Sequence, residues 1–415
     1  MPKYNLITPE GTRDYLFEEA ASIGQTEQKI HRLFASRGFS RVITPAIEFL
    51  DVYNENGHSI PLEYMYKLTD YRGRLMVIRP DSTMPIARLC ATRLRDAALP
   101  LRLYYSQSVY AQNRVLAGRR DEVKQSGVEL IGAEGLRADL EMVSLAADVL
   151  DGCRLKPFRI EIGHIGIFNA LADALRIDEI EREQIRLFIE SKNYPALDDY
   201  LVRFGDSHEA MVLRQLPRLF GTAKVFAQAQ TLLAGTKAEE TLSYLKKVYE
   251  QLCRMECGAM VSVDLGIVNR TDYYTGIVFK GYIEGHGEEV LSGGRYDCLI
   301  QQNGAYVPAI GFAVNIDAVA HAINQKEPVE YTSADVLVVA QEDASIPHAL
   351  KVAAEYNEQG KTTEFFCNES EQARDYAALR GIYKIVFVTE HGIKEESWGR
   401  IHDETDSNCT HERTT

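Results

Sequence analysis

The sequence has few cysteines and no long apolar segment. Its 415 residues include seven scattered cysteines, and no run of about 18 apolar residues is present that could cross a bilayer. The N-terminal residues, MPKYNLITPE, lack the charged-then-apolar pattern of a signal peptide. An odd number of cysteines without an export signal is typical of reduced thiols in the cytosol. We therefore expect a globular cytoplasmic protein that does not span a membrane.

Common nucleotide and metal motifs are also missing. The GKTT segment at Gly360 has Glu355 where a phosphate loop needs its leading glycine, and GHGEEV at Gly285 lacks the third glycine of a dinucleotide-binding turn. Neither a G-x-S-x-G elbow nor an H-E-x-x-H helix occurs. Cys253 and Cys257 are four residues apart, but no histidine or further cysteine follows nearby. We predict no metal site and no cofactor.

Basic residues are also outnumbered by acidic residues, 46 to 60. The formal net charge is −14, whereas a nucleic-acid-binding protein normally presents a basic face to the phosphates. A local basic cluster does exist at Arg114, Arg119 and Arg120. The overall balance still disfavours non-specific binding to RNA or DNA.

The length of the chain predicts two or three domains. Residues 1 to about 165 mix helical and strand patterns, and residues of about 165–258 turn helical. In that helical zone apolar residues recur at three- and four-residue steps, at Leu242, Leu245, Tyr249, Leu252 and Met255. Residues 334–393 alternate short apolar strands with helical patterns, which indicates a small α/β domain. The residues from 394 to 415 are polar, and we predict a loose tail.

Five motifs occur in one order along the first 325 residues. They are GFSRVITPAIEF, VIRPDSTMPIAR, GRRDEVKQSGVELIG, DYYTGIVF with LSGGRYDCLI, and VPAIGFAVNI. In this order they resemble the catalytic domain of class II aminoacyl-tRNA synthetases, and most closely histidyl-tRNA synthetase, over residues of about 5–325. The resemblance implies an α+β fold, in which helices flank an antiparallel sheet, with a helical insertion at about 165–258. It also implies that residues 334–393 are similar to an anticodon-binding domain, and that FSRVITPAIEF forms the interface of a homodimer.

Six residues in these motifs are candidates for a ligand pocket. Two carboxylates can accept hydrogen bonds from an ammonium group, a glutamine and a threonine can orient a polar ligand, and one of two adjacent tyrosines can face the ligand. Taken singly, each is more simply read as a hydrogen-bonded interior residue. Taken together they favour a pocket for a small zwitterionic amino acid. The six are Asp81, Thr83, Gln125, Glu129, Tyr273 and Tyr274.

The cationic residues of the adenylation reaction are replaced. Arginines or a metal must meet the negative charge that develops on ATP. The synthetase motifs carry arginines where this chain has Ala111, Asn269 and Ala318. Arg270 is one residue along from Asn269, but a shift of one residue along a strand points the side chain to the other face. We therefore predict a pocket without adenylation chemistry.

A synthetase-like core without these arginines resembles the regulatory subunits of ATP phosphoribosyltransferase. TPEGTRDYL and RPDST, with Asp81 in place of the usual glutamate, are similar to that family. The resemblance implies a non-catalytic chain that binds and activates the short-form catalytic subunit in the first step of histidine biosynthesis. It also implies a part in feedback inhibition by L-histidine.

One feature departs from that resemblance. Regulatory subunits are expected to lack the C-terminal domain, yet this chain continues with an α/β zone. Two alternatives therefore stay open. One is a histidyl-tRNA synthetase-like protein with another amino-acid- or tRNA-related role, and the other is a tRNA-fold mimic that binds some other partner.

Overall fold

The computed structural model describes most of the chain, in seven ranges. They are residues 4–54, 61–112, 120–268, 273–302, 304–328, 334–397 and 409–414. The chain divides into two compact units, residues 1–329 and 330–415. None of the helices in these ranges is long and apolar enough to cross a membrane.

The first unit combines helices with a large sheet. Its helices are α1 (Phe17–Ser36), α2 (Asp51–Asn54), α3 (Thr83–Ala91), α4 (Gly135–Gly152), α5 (Ile165–Ala174), α6 (Glu179–Glu190), α7 (Tyr194–Leu201), α8 (His208–Gln215), α9 (Lys224–Leu233), α10 (Ala238–Leu252) and α11 (Ile316–Lys326). Its strands are β1 (Ser40–Arg41), β2 (Ile47–Phe49), β3 (Lys67–Thr69), β4 (Leu75–Ile78), β5 (Leu101–Tyr110), β6 (Glu122–Ile131), β7 (Phe158–His164), β8 (Phe220–Gly221), β9 (Val261–Asp264), β10 (Ile277–Ile283), β11 (Leu291–Arg295), β12 (Ile300–Gln302), β13 (Ala305–Val307) and β14 (Ala309–Asn315).

Nine of these strands pair in the order β1-β5-β6-β14-β11-β10-β7-β9-β8 within the described ranges. The pairs from β5 through β7 are antiparallel, whereas β1 runs parallel to β5 and β9 runs parallel to β7. This is the α+β arrangement, with helices flanking an antiparallel sheet, that the sequence predicts.

Alternation along β6 separates the two faces of the sheet. Val128 and Leu130 are buried in the main core, where they join residues of α1 and α4. The neighbouring positions Gly127 and Glu129 point to the opposite face, because successive side chains of a strand alternate. The alternation of side chains therefore separates the two faces of the sheet, and the candidate pocket lies on the side away from α4.

Helix α1 follows the pattern expected for an amphipathic helix. Its buried residues Ser22, Thr26, Ile30 and Phe34 are spaced by four, as one helix face requires. The helix ends just before Gly38, whose φ of +79° suits glycine because it has no Cβ. The helix therefore stops next to a glycine that can adopt this backbone conformation.

The segment FSRVITPAIEF is extended but is not one strand. Strand β1 covers Ser40–Arg41 and β2 covers Ile47–Phe49, and the two belong to different sheets. Strand β2 pairs with β4 in a three-stranded sheet of order β2-β4-β3. A single continuous strand does not form here, because Pro45 lies between β1 and β2 and has no N–H to donate to a ladder.

The helical zone contains α5 to α10, and it also contributes the short strand β8, which pairs with β9. Helix α10 buries Leu242, Leu245, Tyr249 and Leu252 on one face, as the periodicity predicts. Met255 does not continue this face, because the helix ends at Leu252 and Met255 is exposed.

The second unit is an α/β sheet. Its elements are β15 (Val336–Ala340), α12 (Ile346–Glu358), β16 (Thr363–Phe365), α13 (Ala373–Arg380), β17 (Lys384–Val388), β18 (Gly392–Ser397) and β19 (Cys409–Thr414). The strand order is β16-β15-β17-β18-β19. Strand β15 is parallel to both β16 and β17, and β18 is antiparallel to β17.

The predicted loose tail from residue 394 needs correction. Residues 394–397 lie within β18, and β19 adds residues 409–414. The polar composition misled the prediction, because the charged side chains of β18 are paired. Glu395 lies 2.9 Å from Lys384 and Glu396 lies 2.9 Å from Arg374.

Candidate functional site

A buried carboxylate, Glu129, stands at the centre of the site. It lies on β6 with 1 % of its surface exposed. Thr83, the first residue of α3, donates its hydroxyl to Oε1 at 3.0 Å, and the Tyr296 hydroxyl donates to Oε2. Burial raises the pKa of Glu129 to about 8, although both hydroxyl donors oppose the rise. The site therefore favours a cation beside Glu129, or a proton on it.

A second carboxylate, Asp81, lies just before α3. Its Oδ1 accepts a hydrogen bond from the Met84 backbone N–H at 2.9 Å, and its Oδ2 accepts one from the Tyr273 hydroxyl at 3.3 Å. Burial raises the pKa of Asp81 to about 6. The negative charge of Asp81 also raises the pKa of Glu129, so the two carboxyl groups act on one another.

Two tyrosines, Tyr273 and Tyr296, complete this group, and Tyr274 packs beside Tyr273. The Tyr273 ring centroid is 5.7 Å from that of Tyr296 and 4.9 Å from that of Tyr274. Burial raises the hydroxyl pKa of Tyr273 and of Tyr296 well above the usual value, so both act as neutral donors. We call the group Asp81, Thr83, Glu129, Tyr273 and Tyr296 the inner pocket.

Glycines form the floor beneath the inner pocket. Gly311 on β14 is paired with Glu129 on β6, and a Cβ at Gly311 would lie 1.7 Å from Glu129 Oε2. A Cβ at Gly127 would lie 2.4 Å from the Tyr105 hydroxyl. These close approaches explain the glycines, because a side chain at Gly311 would displace Glu129 and one at Gly127 would displace Tyr105.

A larger cavity of about 710 Å³ lies over the same face of the sheet. We call it the outer cavity. Gln125 and the alanines Ala111 and Ala318 line it. The charged and titratable residues among its described lining are four carboxylates, one arginine and two histidines: Asp121, Glu288, Glu289, Asp317, Arg120, His286 and His321. This lining opposes the binding of a polyphosphate.

The structure divides the six predicted pocket residues. Asp81, Thr83, Glu129 and Tyr273 come together in the inner pocket. Tyr274 packs behind Tyr273, and a Cβ at Gly294 would lie 2.7 Å from its ring. Gln125 is four residues before Glu129 on β6, about 13 Å away at strand spacing, and lines the outer cavity instead.

Of the three positions that replace arginines, two can be placed. Ala111 is partly buried and Ala318 is buried, and both line the outer cavity. Asn269 and its neighbour Arg270 lie outside the described residues. No cluster of three or more potential metal-ligating side chains occurs in the ranges that the structure describes.

Sequence reasoning missed Tyr296 as a member of the site. It is 167 residues from Glu129 in the chain, and the pairing of β11 with β14 and of β14 with β6 brings them together. The motif LSGGRYDCLI contains Tyr296. The sequence feature that could have identified it is an aromatic residue directly after a glycine-rich strand.

Comparison with known proteins relates this chain to histidyl-tRNA synthetases and to ATP phosphoribosyltransferase regulatory subunits. The histidyl-tRNA synthetase family model matches residues 11–319. An ATP phosphoribosyltransferase regulatory subunit of Bacillus cereus is 36 % identical over 99 % of both chains. Another, of Clostridium kluyveri, is 38 % identical over 91 % of this chain and 97 % of its own. The chain belongs to the family of ATP phosphoribosyltransferase regulatory subunits.

Solved structures support the fold of this regulatory-subunit family. A crystal structure from Bacillus halodurans, described as an ATP phosphoribosyltransferase regulatory subunit/histidyl-tRNA synthetase, has a TM-score of 0.81 and 28 % identity, covering 93 % of this chain and 99 % of its own. Histidyl-tRNA synthetase from Nostoc has a TM-score of 0.75 at 21 % identity over 95 % of each chain. The predicted class II synthetase-like fold is confirmed.

The comparison also corrects the expectation about the C-terminal zone. We expected regulatory subunits to lack this domain, yet the Bacillus cereus relative matches over 99 % of both lengths. The presence of the α/β unit therefore does not separate this chain from that family.

Proposed function

We propose that this chain is the non-catalytic regulatory subunit of ATP phosphoribosyltransferase. In this role it binds and activates the short-form catalytic subunit in the first step of histidine biosynthesis, in the cytoplasm. The observation that carries the proposal is the retained inner pocket beside an outer cavity lined by carboxylates. Membership of the regulatory-subunit family supports it.

The inner pocket is proposed as the binding site for L-histidine, the feedback effector. Glu129 and Asp81 suit the α-ammonium group of a zwitterionic amino acid, since a cation relieves the cost of ionising buried carboxylates. Tyr273 and Tyr296 present ring faces and hydroxyl groups to a planar polar side chain. Histidine then shifts the assembly between states by the difference in its affinity for them.

The outer cavity supports the absence of adenylation. An adenylating enzyme must stabilise negative charge on transferring phosphates, and loss of such a group costs orders of magnitude in rate. Ala111 and Ala318 offer no positive charge there, and Glu288 and Glu289 add negative charge. Absence of ATP–pyrophosphate exchange is the expected result, also for Asn269→Arg alone. Exchange by the unmodified chain would contradict the proposal.

We further propose that the core forms a homodimer through the segment FSRVITPAIEF. Ile43, Ile47 and Phe49 are 77, 46 and 41 % exposed. Ile47 and Phe49 lie on one face of β2, opposite the buried Glu48. A second copy of this chain would remove these apolar side chains from water.

The test is complex formation with the short-form catalytic subunit from the same source. We expect light scattering after size-exclusion chromatography to give a hetero-oligomer that contains both chains. A matched control replaces the partner with a long-form phosphoribosyltransferase, which is not expected to bind. If the two chains elute separately across micromolar concentrations, the proposal is wrong.

A further inference from the structure

A buried arginine lies directly beneath the wall of the inner pocket. Arg295 is the last residue of β11 and is 6 % exposed. Its side chain points to the face of the sheet opposite the inner pocket, where Nε and Nη2 donate to Asp139 Oδ1 of α4 at 2.8 and 2.6 Å. Nη1 donates to the Ala133 carbonyl oxygen at 3.1 Å and to Asp297 Oδ1 at 3.0 Å. The guanidinium is thus fixed from three directions.

The backbone of Arg295 holds two parts of the inner pocket. The next residue is Tyr296, whose hydroxyl donates to Glu129. The Arg295 carbonyl oxygen accepts a hydrogen bond from the Thr275 N–H at 2.7 Å, and Thr275 follows Tyr273 and Tyr274. A movement of Arg295 would therefore move both tyrosine walls of the pocket.

Close packing also connects Arg295 to the segment that precedes β10. A Cβ at Gly276 would lie 2.9 Å from Arg295 Cδ and 3.0 Å from its Cβ. The Asp297 N–H also donates to Thr275 Oγ1 at 3.0 Å. The segment that leads from Tyr273 into β10 thus rests at Gly276 on the stem of Arg295, with no space between them for a methyl group.

The ion pair between Arg295 and Asp139 also contacts the helical zone. The second carboxylate oxygen of Asp139, Oδ2, accepts a hydrogen bond from the hydroxyl of Tyr244 on α10. The Tyr244 ring packs edge-on against His164 at 6.0 Å, and His164 Nδ1 accepts the Gly166 N–H at the start of α5 at 3.1 Å. A single buried carboxylate therefore connects Arg295 to α10.

We propose that Arg295 is a positioning residue for the inner pocket, and that its ion pair with Asp139 couples occupancy of this pocket to helix α10 through Tyr244. Buried charge pairs have strict geometry, since loss of one partner leaves an uncompensated charge. A ligand that shifts Tyr273 or Tyr296 must carry Arg295 with it, and Asp139 and Tyr244 must follow or lose a hydrogen bond. This inference rests on the proposed function, because it takes L-histidine as the ligand.

The test compares two tyrosines of the same helix. Tyr244→Phe removes the hydroxyl that reaches Asp139 and keeps the ring, so it perturbs the fold less than a change at Arg295 would. Tyr249→Phe is the matched control, because Tyr249 is buried on α10 with its ring 5.4 Å from Phe226 of α9. Calorimetry measures L-histidine binding to each full chain, and hydrogen–deuterium exchange measures the protection of α10 with and without L-histidine.

In the unmodified chain we expect saturating L-histidine to change the exchange rate of α10 amides by at least about fivefold, the lower end of typical coupling. We expect Tyr249→Phe to keep this response. We expect Tyr244→Phe to bind L-histidine but to show no ligand-dependent change in the exchange of α10 amides. If Tyr244 had only a structural role, Tyr244→Phe would change the exchange rate of α10 amides equally with and without L-histidine. Binding without any response in α10, or an undiminished response in Tyr244→Phe, overturns the inference. No binding by the unmodified chain overturns the proposed effector site, and this inference with it.

Discussion

The inner pocket and the outer cavity lie over one sheet but differ in how their polar groups are satisfied. In the inner pocket Glu129 is buried and Asp81 is half-buried, and both receive hydrogen bonds from neutral donors, as Glu129 does from Thr83 and Tyr296. In the outer cavity four carboxylates line the same space as Ala111 and Ala318. From this difference we propose that the amino-acid site is kept while the neighbouring nucleotide site has lost its chemistry.

The largest effect is expected from removing the central charge of the inner pocket. We expect Glu129→Gln to weaken L-histidine binding by about 10- to 100-fold, as loss of a charge-assisted hydrogen bond typically does, while the shape of the side chain is kept. Calorimetry measures the affinity. Glu134→Gln, an exposed residue just before α4, is the control and should bind normally. Equal affinities of the two variants would place the effector elsewhere.

A methyl group on the pocket floor should act nearly as strongly. Gly311→Ala would place a Cβ 1.7 Å from Glu129 Oε2 and 2.6 Å from the Val128 carbonyl oxygen. We expect it to lower the free energy of unfolding by about 1–3 kcal/mol and to weaken L-histidine binding somewhat less than Glu129→Gln does. Gly287→Ala, where a Cβ meets nothing within 4 Å, is the control for denaturant unfolding. A Gly311→Ala variant as stable as this control would refute the close-packed floor.

The buried carboxylates should also make stability depend on pH. The pKa of Glu129 is raised to about 8 in the folded chain, so between its ordinary value and 8 the folded state binds more protons than the unfolded state. Stability contributed by the protonated form is present at low pH and is lost as pH rises. We expect Glu129→Gln to lose less stability than the unmodified chain between pH 6 and 8, by up to about 2 kcal/mol.

Urea unfolding at several pH values measures this difference, and Glu134→Gln again serves as the control. Asp81, with its pKa raised to about 6, adds a smaller fall of the same sign at lower pH. Parallel stability curves for Glu129→Gln and the unmodified chain would contradict the buried, protonated state of Glu129.

The smallest effect is expected in the outer cavity. Glu289 lies 3.5 Å from Lys280 and is partly exposed, and such pairs contribute little. Glu289→Gln should therefore leave L-histidine affinity unchanged within about twofold. A loss as large as that of Glu129→Gln would mean that the two regions form one ligand site, and the comparison would fail.

Much of the fold followed from patterns within single segments. The face of α10 and the end of α1 at Gly38 could be predicted because helical periodicity and glycine act locally. The tail could not, since Glu395 and Glu396 are held by cations of other elements. From composition alone such a segment is predicted to be a polar tail, because the ion pairs that stabilise it as a strand join residues of other elements.

The site divides in the same way. Asp81, Thr83, Glu129 and Tyr273 were predicted because their motifs resemble a known family. Tyr296 and Arg295 were not, since their roles arise from pairing between strands distant in the chain. That Asp81, Thr83, Gln125, Glu129, Tyr273 and Tyr274 bind a histidine-like ligand stays a prediction.

The most direct test of the central claim is phosphoribosyl-ATP formation by the short-form catalytic subunit from the same source. It is measured alone, with this chain, and with this chain plus L-histidine. The account predicts activity that appears only when both chains are present and that falls on adding L-histidine, with the fall much reduced in Glu129→Gln. A catalytic subunit that is equally active with and without this chain would contradict it.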